Sequence, residues 1–207
     1  MLQFITNESA RLPIPEQVRL AIEGGCRWIQ LRMKHATDAE VAEMAREITP
    51  ICRDNDAILV IDDRVDVVME TKVHGVHLGK EDMEPAKARE YLGPHAIIGC
   101  TANTAADILA LAPLDIDYIG LGPFRFTTTK ERLSPVIGAE GYRKIIAEVR
   151  AAGCELPIVA IGGIEPSDVP LLLETGVNGI AISGAIVNSP DPAATVASIL
   201  SSTTAVK

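Results

Sequence analysis

No apolar run in this chain approaches the ~18 residues that a bilayer-spanning helix needs, so nothing in it reads as a membrane segment. Nothing at the N-terminus reads as a signal peptide either, since Met1-Leu2-Gln3-Phe4 runs straight into a strand-like segment, and a cytoplasmic location is expected. Positive charge is in short supply. Lys and Arg number 19 against 28 Asp and Glu, a formal net charge of −9. Nucleic acid and anionic membrane surfaces are therefore poor partners, because clustered positive charge holds both, and an anionic small molecule would need a local basic site. The four cysteines, Cys26, Cys52, Cys100 and Cys154, form no C-x-x-C pair and lack zinc-site spacing, so they are expected to be buried or free thiols. No Ser/Gly/Pro-rich linker divides the chain, and 207 residues suit a single domain, residues 1–207.

What the chain does contain is alternation. Apolar, β-branched runs are followed by longer segments whose apolar residues recur at helical spacing, the pattern of parallel strands joined by helices. The strands read as Leu2–Thr6, Trp28–Met33, Ala57–Asp62, Gly75–Gly79, Ala96–Thr101, Tyr118–Phe124, Pro157–Ile164 and Gly179–Ser183. Helices are expected at Pro15–Glu23, Asp38–Arg53, Glu84–Tyr91, Ala105–Ala112, Glu140–Ala151, Pro166–Glu174 and Pro192–Leu200, with a short one at Val65–Thr71. Gly24-Gly25, Gly93-Pro94, Gly153 and Gly176 fall where helices should stop. Eight such units predict a closed (β/α)8 TIM barrel. The rival, an open doubly wound sheet, would often carry a Gly-rich fingerprint after its first strand, and Thr6-Asn7-Glu8-Ser9 is nothing like one.

Barrel active sites sit at the C-terminal ends of the strands, and the unusual polar residues of this chain gather there. Strand two ends in Gln30-Leu31-Arg32-Met33-Lys34, whose period-two alternation sends Gln30, Arg32 and Lys34 to one side as a basic wall. Asp62-Asp63-Arg64 ends strand three, Asp82 follows strand four, Thr101 closes strand five, and Thr127, Thr129 and Lys130 follow strand six. Glycines after the last two strands, Gly162, Gly163 and Gly184, with Ser183, form a candidate phosphate cup, because backbone N–H groups there can approach an anion closely. Asp63 and Asp82 leave adjacent strands and suit one Mg²⁺ ion, which takes one or two carboxylates and fills the rest of its octahedron with water and phosphate oxygens. For either aspartate alone, a solvated loop position or a helix cap is the plainer reading.

In order along the chain, Gln30-Leu31-Arg32-x-Lys34, Ile61-Asp62-Asp63-Arg64, Gly75-Val76-His77-Leu78-Gly79 with Asp82, Gly120-Leu121-Gly122-Pro123 with Thr127-x-Thr129-Lys130, and Ile161-Gly162-Gly163-Ile164 resemble the motifs of thiamine phosphate synthases. The resemblance implies a Mg²⁺-dependent transferase of thiamine biosynthesis that joins 4-amino-5-hydroxymethyl-2-methylpyrimidine diphosphate to 4-methyl-5-(2-hydroxyethyl)thiazole phosphate. Thiamine phosphate and pyrophosphate are the products; pyrophosphate leaves first, and the thiazole nitrogen captures the resulting pyrimidine carbocation. It further implies that Arg32, Lys34 and Lys130 are catalytic and hold the diphosphate, that Asp63 and Asp82 bind the metal, and that Gln30 meets the pyrimidine. Thr127 and Thr129, with Gly163, Ser183 and Gly184, would hold the thiazole phosphate.

The chain departs from the family pattern at several positions. Thr101 stands for the usual serine and keeps its hydroxyl, Asn103 stands for a frequent histidine, Gly184 for a frequent serine, and Asp62 for the usual asparagine; by the resemblance Asp62 and Thr101 are also expected to bind substrate. A carboxylate at 62 adds repulsion against a diphosphate unless the metal or Arg64 compensates or the group is protonated. His77 reads as a packed or hydrogen-bonded barrel residue rather than an acid–base catalyst. Two other functions compete: a same-fold paralogue that rearranges the thiazole ring, resembling a thiazole tautomerase, and a non-catalytic barrel that binds phosphorylated ligands.

Overall fold

The computed structural model describes residues 1–8, 10–126 and 135–204. Eight parallel strands, β1 (Leu2–Ile5), β2 (Trp28–Leu31), β3 (Ile58–Asp62), β4 (Gly75–Leu78), β5 (Ile97–Ala102), β6 (Tyr118–Leu121), β7 (Ile158–Ile161) and β8 (Gly179–Ile182), close into a barrel in sequence order. Closure is made by β1 and β8, with Leu2, Gln3 and Phe4 opposite Ile180, Ala181 and Ile182.

Around the barrel lie α1 (Ile14–Glu23), α2 (Asp38–Arg53), α3 (Val65–Thr71), α4 (Pro85–Leu92), α5 (Ala105–Leu111), α6 (Gly138–Ala151), α7 (Val169–Leu173), α8 (Gly184–Val187) and α9 (Pro192–Thr204). Helix α2 shows why these segments fold as they do. Val41, Ala42, Ala45, Ile48 and Cys52 repeat at spacings of three and four and are buried against the strands. Its start is fixed by a capping box: Thr37 Oγ1 accepts from the Glu40 N–H, while Glu40 returns a carboxylate to the Thr37 N–H at 2.7 Å.

Most of the expected strands run too far at their C-terminal ends, although β3 ends at Asp62 as expected and β5 continues one residue further, to Ala102. β2 stops at Leu31, β6 at Leu121 and β7 at Ile161. For β7 the cause is local: Gly162 and Gly163 adopt φ of 97° and 66°, which ends the extended backbone. The expected Pro166–Glu174 helix divides into a 3-10 turn, Pro166–Asp168, and α7, since Pro170 has no N–H for the helical ladder. Helix α8 lies outside the expected elements.

Most of the core lies between the strands and the helices, around fully buried Ile29, Leu31, Ile48, Leu59, Ile61 and Leu121. Inside the barrel, aromatic and aliphatic side chains fill the space together with a few polar ones. Tyr118, Ile5, Val159 and Ala181 pack with Trp28, whose ring meets Tyr118 edge-on at 4.7 Å. Room for these rings comes from missing side chains: a Cβ on Gly99 would lie 2.1 Å from the Tyr118 ring, and one on Gly120 would lie 2.9 Å from His77 Cε1.

Candidate active site

The register of the barrel decides which polar residues meet at its mouth. Leu31 pairs with Ile61 and Asp62 with His77, so the ends of β2, β3 and β4 come level. Gln30 is buried and donates its amide N–H to Asp62 Oδ1 at 2.5 Å, while Arg32 Nε lies 3.1 Å from Asp62 Oδ2. Arg32 is itself anchored to β1: its N–H donates to Thr6 Oγ1 at 2.9 Å, and the Thr6 hydroxyl donates to its carbonyl at 3.3 Å. Lys34 is exposed beyond the strand end, so Gln30 and Arg32 share a cluster while the expected alternation breaks before Lys34.

Asp62 is therefore compensated by Arg32, not by Arg64. The Arg64 guanidinium turns away from Asp62 toward the segment before α2, donating to the carbonyls of Ala36 and Met33 and lying 3.0 Å from Asp38 Oδ1. It ties the β2–α2 loop to β3 and leaves the carboxylate at 62 to its neighbour across the sheet.

Asp63 follows in a left-handed conformation, φ 65°, with its N–H donated to the His77 carbonyl at 2.8 Å. Asp82 Oδ2 accepts from the Gly79 N–H at 2.5 Å. The two carboxylates converge on the same spot: a Cβ at Gly79 would lie 2.8 Å from Asp82 Oδ2 and 3.9 Å from Asp63 Oδ1. Burial first, then the charges of Asp62 and Asp82, push the Asp63 carboxyl well above the ordinary carboxylate range, with Arg32 opposing. A divalent cation would relieve that repulsion. Among the described residues no group of three or more His, Cys, Asp or Glu side chains forms a cage, and two carboxylates with open positions suit Mg²⁺. Beside the pair opens a cleft of about 280 Å³, walled by Asp38, Arg64, Val65, Asp66 and Met83.

On the far side of the mouth, Ser183 Oγ is buried with no hydrogen-bond partner in the described structure. A buried hydroxyl without a partner is costly, and an anion oxygen would supply one. Ser183 and Gly184 lead into α8, and the Gly162–Gly163 turn follows β7. Asn103 does not reach into this space with its amide N–H, which donates to the Gly122 carbonyl at 2.5 Å. Thr101 is half-buried, its hydroxyl 3.0 Å from His77 Nε2. Thr127, Thr129 and Lys130 lie outside the described residues.

Two contacts escaped the sequence reading. Thr6, the last residue before the β1 loop, locks Arg32 in place; its polar side chain at a strand end was the available signal. Arg125 makes a two-pronged ion pair with Asp168, at 2.7 and 2.8 Å, and donates to the Gly163 carbonyl at 3.1 Å. Nothing local in the sequence joins residues so far apart.

A thiamine monophosphate synthase family model matches residues 2–186. A thiamine-phosphate synthase of Bacteroides fragilis is 52% identical over 191 residues, covering 92% of this chain and 94% of its own. One from Bacteroides thetaiotaomicron is 52% identical over 199 residues, covering 96% and 95%. A solved structure of thiamine phosphate pyrophosphorylase from Pyrococcus furiosus superposes with a TM-score of 0.88 at 35% identity, covering 99% of this chain and 96% of its own.

Proposed function

The chain belongs to the thiamine monophosphate synthase family, and from that membership we propose that it couples 4-amino-5-hydroxymethyl-2-methylpyrimidine diphosphate to 4-methyl-5-(2-hydroxyethyl)thiazole phosphate. The products are thiamine phosphate and pyrophosphate, which makes the protein a transferase. Residues 1–207 act as one catalytic domain, in the cytoplasm. No helix among the described residues is long and apolar enough to cross a membrane. The observation that carries the reading is the 52% identity to thiamine-phosphate synthases over nearly the full length of both chains.

The geometry supports the same chemistry. Departure of a diphosphate builds negative charge on the leaving group, so fixed cations and hydrogen-bond donors lower the barrier more than a general base would. Arg32 is held in place before substrate arrives, by Asp62 at its Nε and by Thr6 along its backbone, so little ordering cost falls on the reaction. Lys34 and Lys130 are assigned to the same diphosphate. Asp63 and Asp82 would hold Mg²⁺, which when bound supplies positive charge to the diphosphate oxygens. Gln30, fixed through Asp62, faces the pyrimidine. Ser183, with the turn at Gly163 and the start of α8 at Gly184, takes the thiazole phosphate, together with Thr127 and Thr129.

The test is pyrophosphate release from purified protein given both substrates and Mg²⁺, with single-substrate and EDTA controls. Release that requires all three, with thiamine phosphate formed, is expected. Tight binding of thiazole phosphate without release would sink the coupling reaction in favour of a rearranging paralogue or a binder.

A further inference from the structure

Beneath the mouth, the barrel interior holds a chain of polar side chains that runs from β1 to β5. Gln3 Nε2 donates to the Tyr118 hydroxyl at 3.1 Å, the Tyr118 oxygen lies 2.9 Å from His77 Nδ1, and His77 Nε2 lies 3.0 Å from Thr101 Oγ1. Gln3, Tyr118 and His77 are each buried, and only Thr101 reaches the solvent side. The cavity is cut for these rings, since Gly99 and Gly120 leave the space that Tyr118 and His77 fill.

Hydrogen-bond directions follow from the donor and acceptor inventory. A buried phenol hydrogen needs an acceptor. The Tyr118 oxygen already receives an N–H from Gln3, which gives nothing back through that nitrogen. The Tyr118 hydrogen therefore goes to His77 Nδ1, which must offer its lone pair. An imidazole with an unprotonated Nδ1 carries its hydrogen on Nε2, and that N–H points at Thr101 Oγ1. The threonine oxygen is then an acceptor from below, and its own hydrogen is turned toward the open mouth.

We propose that His77, oriented by Tyr118 and Gln3, is a positioning residue that holds the Nε2–H tautomer and thereby presents Thr101 as a hydrogen-bond donor to an anionic oxygen of the bound diphosphate. The identity of that anion rests on the coupling reaction proposed above. The direction of the relay does not. In this arrangement a hydroxyl that is free to rotate in solution is fixed as a donor before the charge develops, which is how a preorganised site stabilises a leaving anion.

Two measurements on the full chain test it. In protein labelled with ¹⁵N-histidine, the three exposed residues His35, His74 and His95 are assigned by single substitution to Gln, and the remaining imidazole is His77. Its Nδ1 should show the shift of an unprotonated nitrogen and its Nε2 that of a protonated one; the opposite pattern, or two protonated nitrogens, overturns the relay. The second measurement is kinetic. Tyr118→Phe and Thr101→Ala should each lower kcat by roughly tenfold to a hundredfold, the range for one hydrogen bond to a charged group. Thr101→Ser should keep most of the rate, and KM for thiazole phosphate should stay unchanged throughout. Adding Tyr118→Phe to Thr101→Ala should cost nothing more, because the donor is already gone. Losses that multiply instead would mean that Tyr118 acts on stability alone and would overturn the assignment. Wild-type protein that releases no pyrophosphate would overturn the coupling reaction, and the nitrogen shifts would still decide the tautomer.

Discussion

Arg32 Nε sits 3.1 Å from Asp62 Oδ2, with side chains that are only 19% and 14% exposed. A pair this sheltered is sensitive to what is removed from it. Taking away one charge leaves the other poorly solvated, whereas an amide of the same shape keeps an acceptor for Arg32 Nε and meets Gln30 through its NH2, which the Gln30 carbonyl oxygen, buried without a partner, can accept once that amide turns over.

Asp62→Ala should therefore destabilise the fold by about 1–3 kcal/mol and raise KM for the pyrimidine diphosphate, since Arg32 and Gln30 both lose their anchor. Asp62→Asn should cost under about 1 kcal/mol and leave that KM equal or lower, because a carboxylate no longer faces the substrate. Thermal melts and initial rates of the two variants check this. Equal behaviour of the two would show that the pair positions nothing.

The carboxyl of Asp63 has a native pKa raised above its ordinary 3.8, by burial first and then by Asp62 and Asp82. In metal-free protein the native state thus holds a proton that the unfolded chain releases, and stability falls as pH climbs from 3.8 toward the raised native value. Asp63→Asn should remove this loss, raising Tm at neutral pH by an amount that shrinks as pH is lowered. Adding Mg²⁺ should raise Tm of the wild type and leave Asp63→Asn nearly unmoved. A metal effect of the same size on both proteins would take Asp63 out of the ion's site.

The barrel interior makes a prediction about size. A Cβ on Gly99 would fall 2.1 Å from Cζ of Tyr118, a buried ring flanked by Trp28 at 4.7 Å. Gly99→Ala should destabilise by about 1–3 kcal/mol as an overpacked core does, and part of that loss should return with Tyr118→Leu, which vacates the space. An unchanged Tm for Gly99→Ala would mean that the ring has room to move.

Much of this was legible in the sequence, for reasons that differ by element. The eight strands are short apolar runs such as Ile58-Leu59-Val60-Ile61, buried or nearly so, and each announces itself without help from the rest of the chain. Asp38–Arg53 is expected from its apolar spacing and matches to the residue, because the Thr37–Glu40 capping box in the structure fixes its start where that spacing begins. The strand ends were harder, because where the ladder stops depends on the neighbouring strand. Asp62 as a departure from the family pattern was visible, but its partner was not: Arg32 reaches it only through the β2–β3 register, whereas Arg64 is merely close in sequence. Helix α8 is four residues long, too short for any periodicity.

The Arg125–Asp168 pair belongs to the same class of long-range contact, and it carries the last prediction. Phe124 and Arg125 donate their N–H groups to the carbonyls of Ile161 and Gly162, both at 2.9 Å, which extends the β6–β7 pairing past the strand ends. The Arg125 guanidinium then crosses to Asp168, whose Oδ2 also accepts from the Glu165 N–H, and to the Gly163 carbonyl. Arg125 is half-exposed, so the pair contributes at most about 1 kcal/mol to stability. Its effect should lie in where the Gly162–Gly163 turn is held. Arg125→Ala and Asp168→Asn are expected to raise KM for thiazole phosphate several-fold, leave KM for the pyrimidine diphosphate within twofold, and barely alter Tm. Steady-state kinetics with each substrate varied in turn measures this. A rise confined to the diphosphate KM would assign the pair to the other half of the site, because a turn that holds the thiazole phosphate can disturb only the substrate it touches.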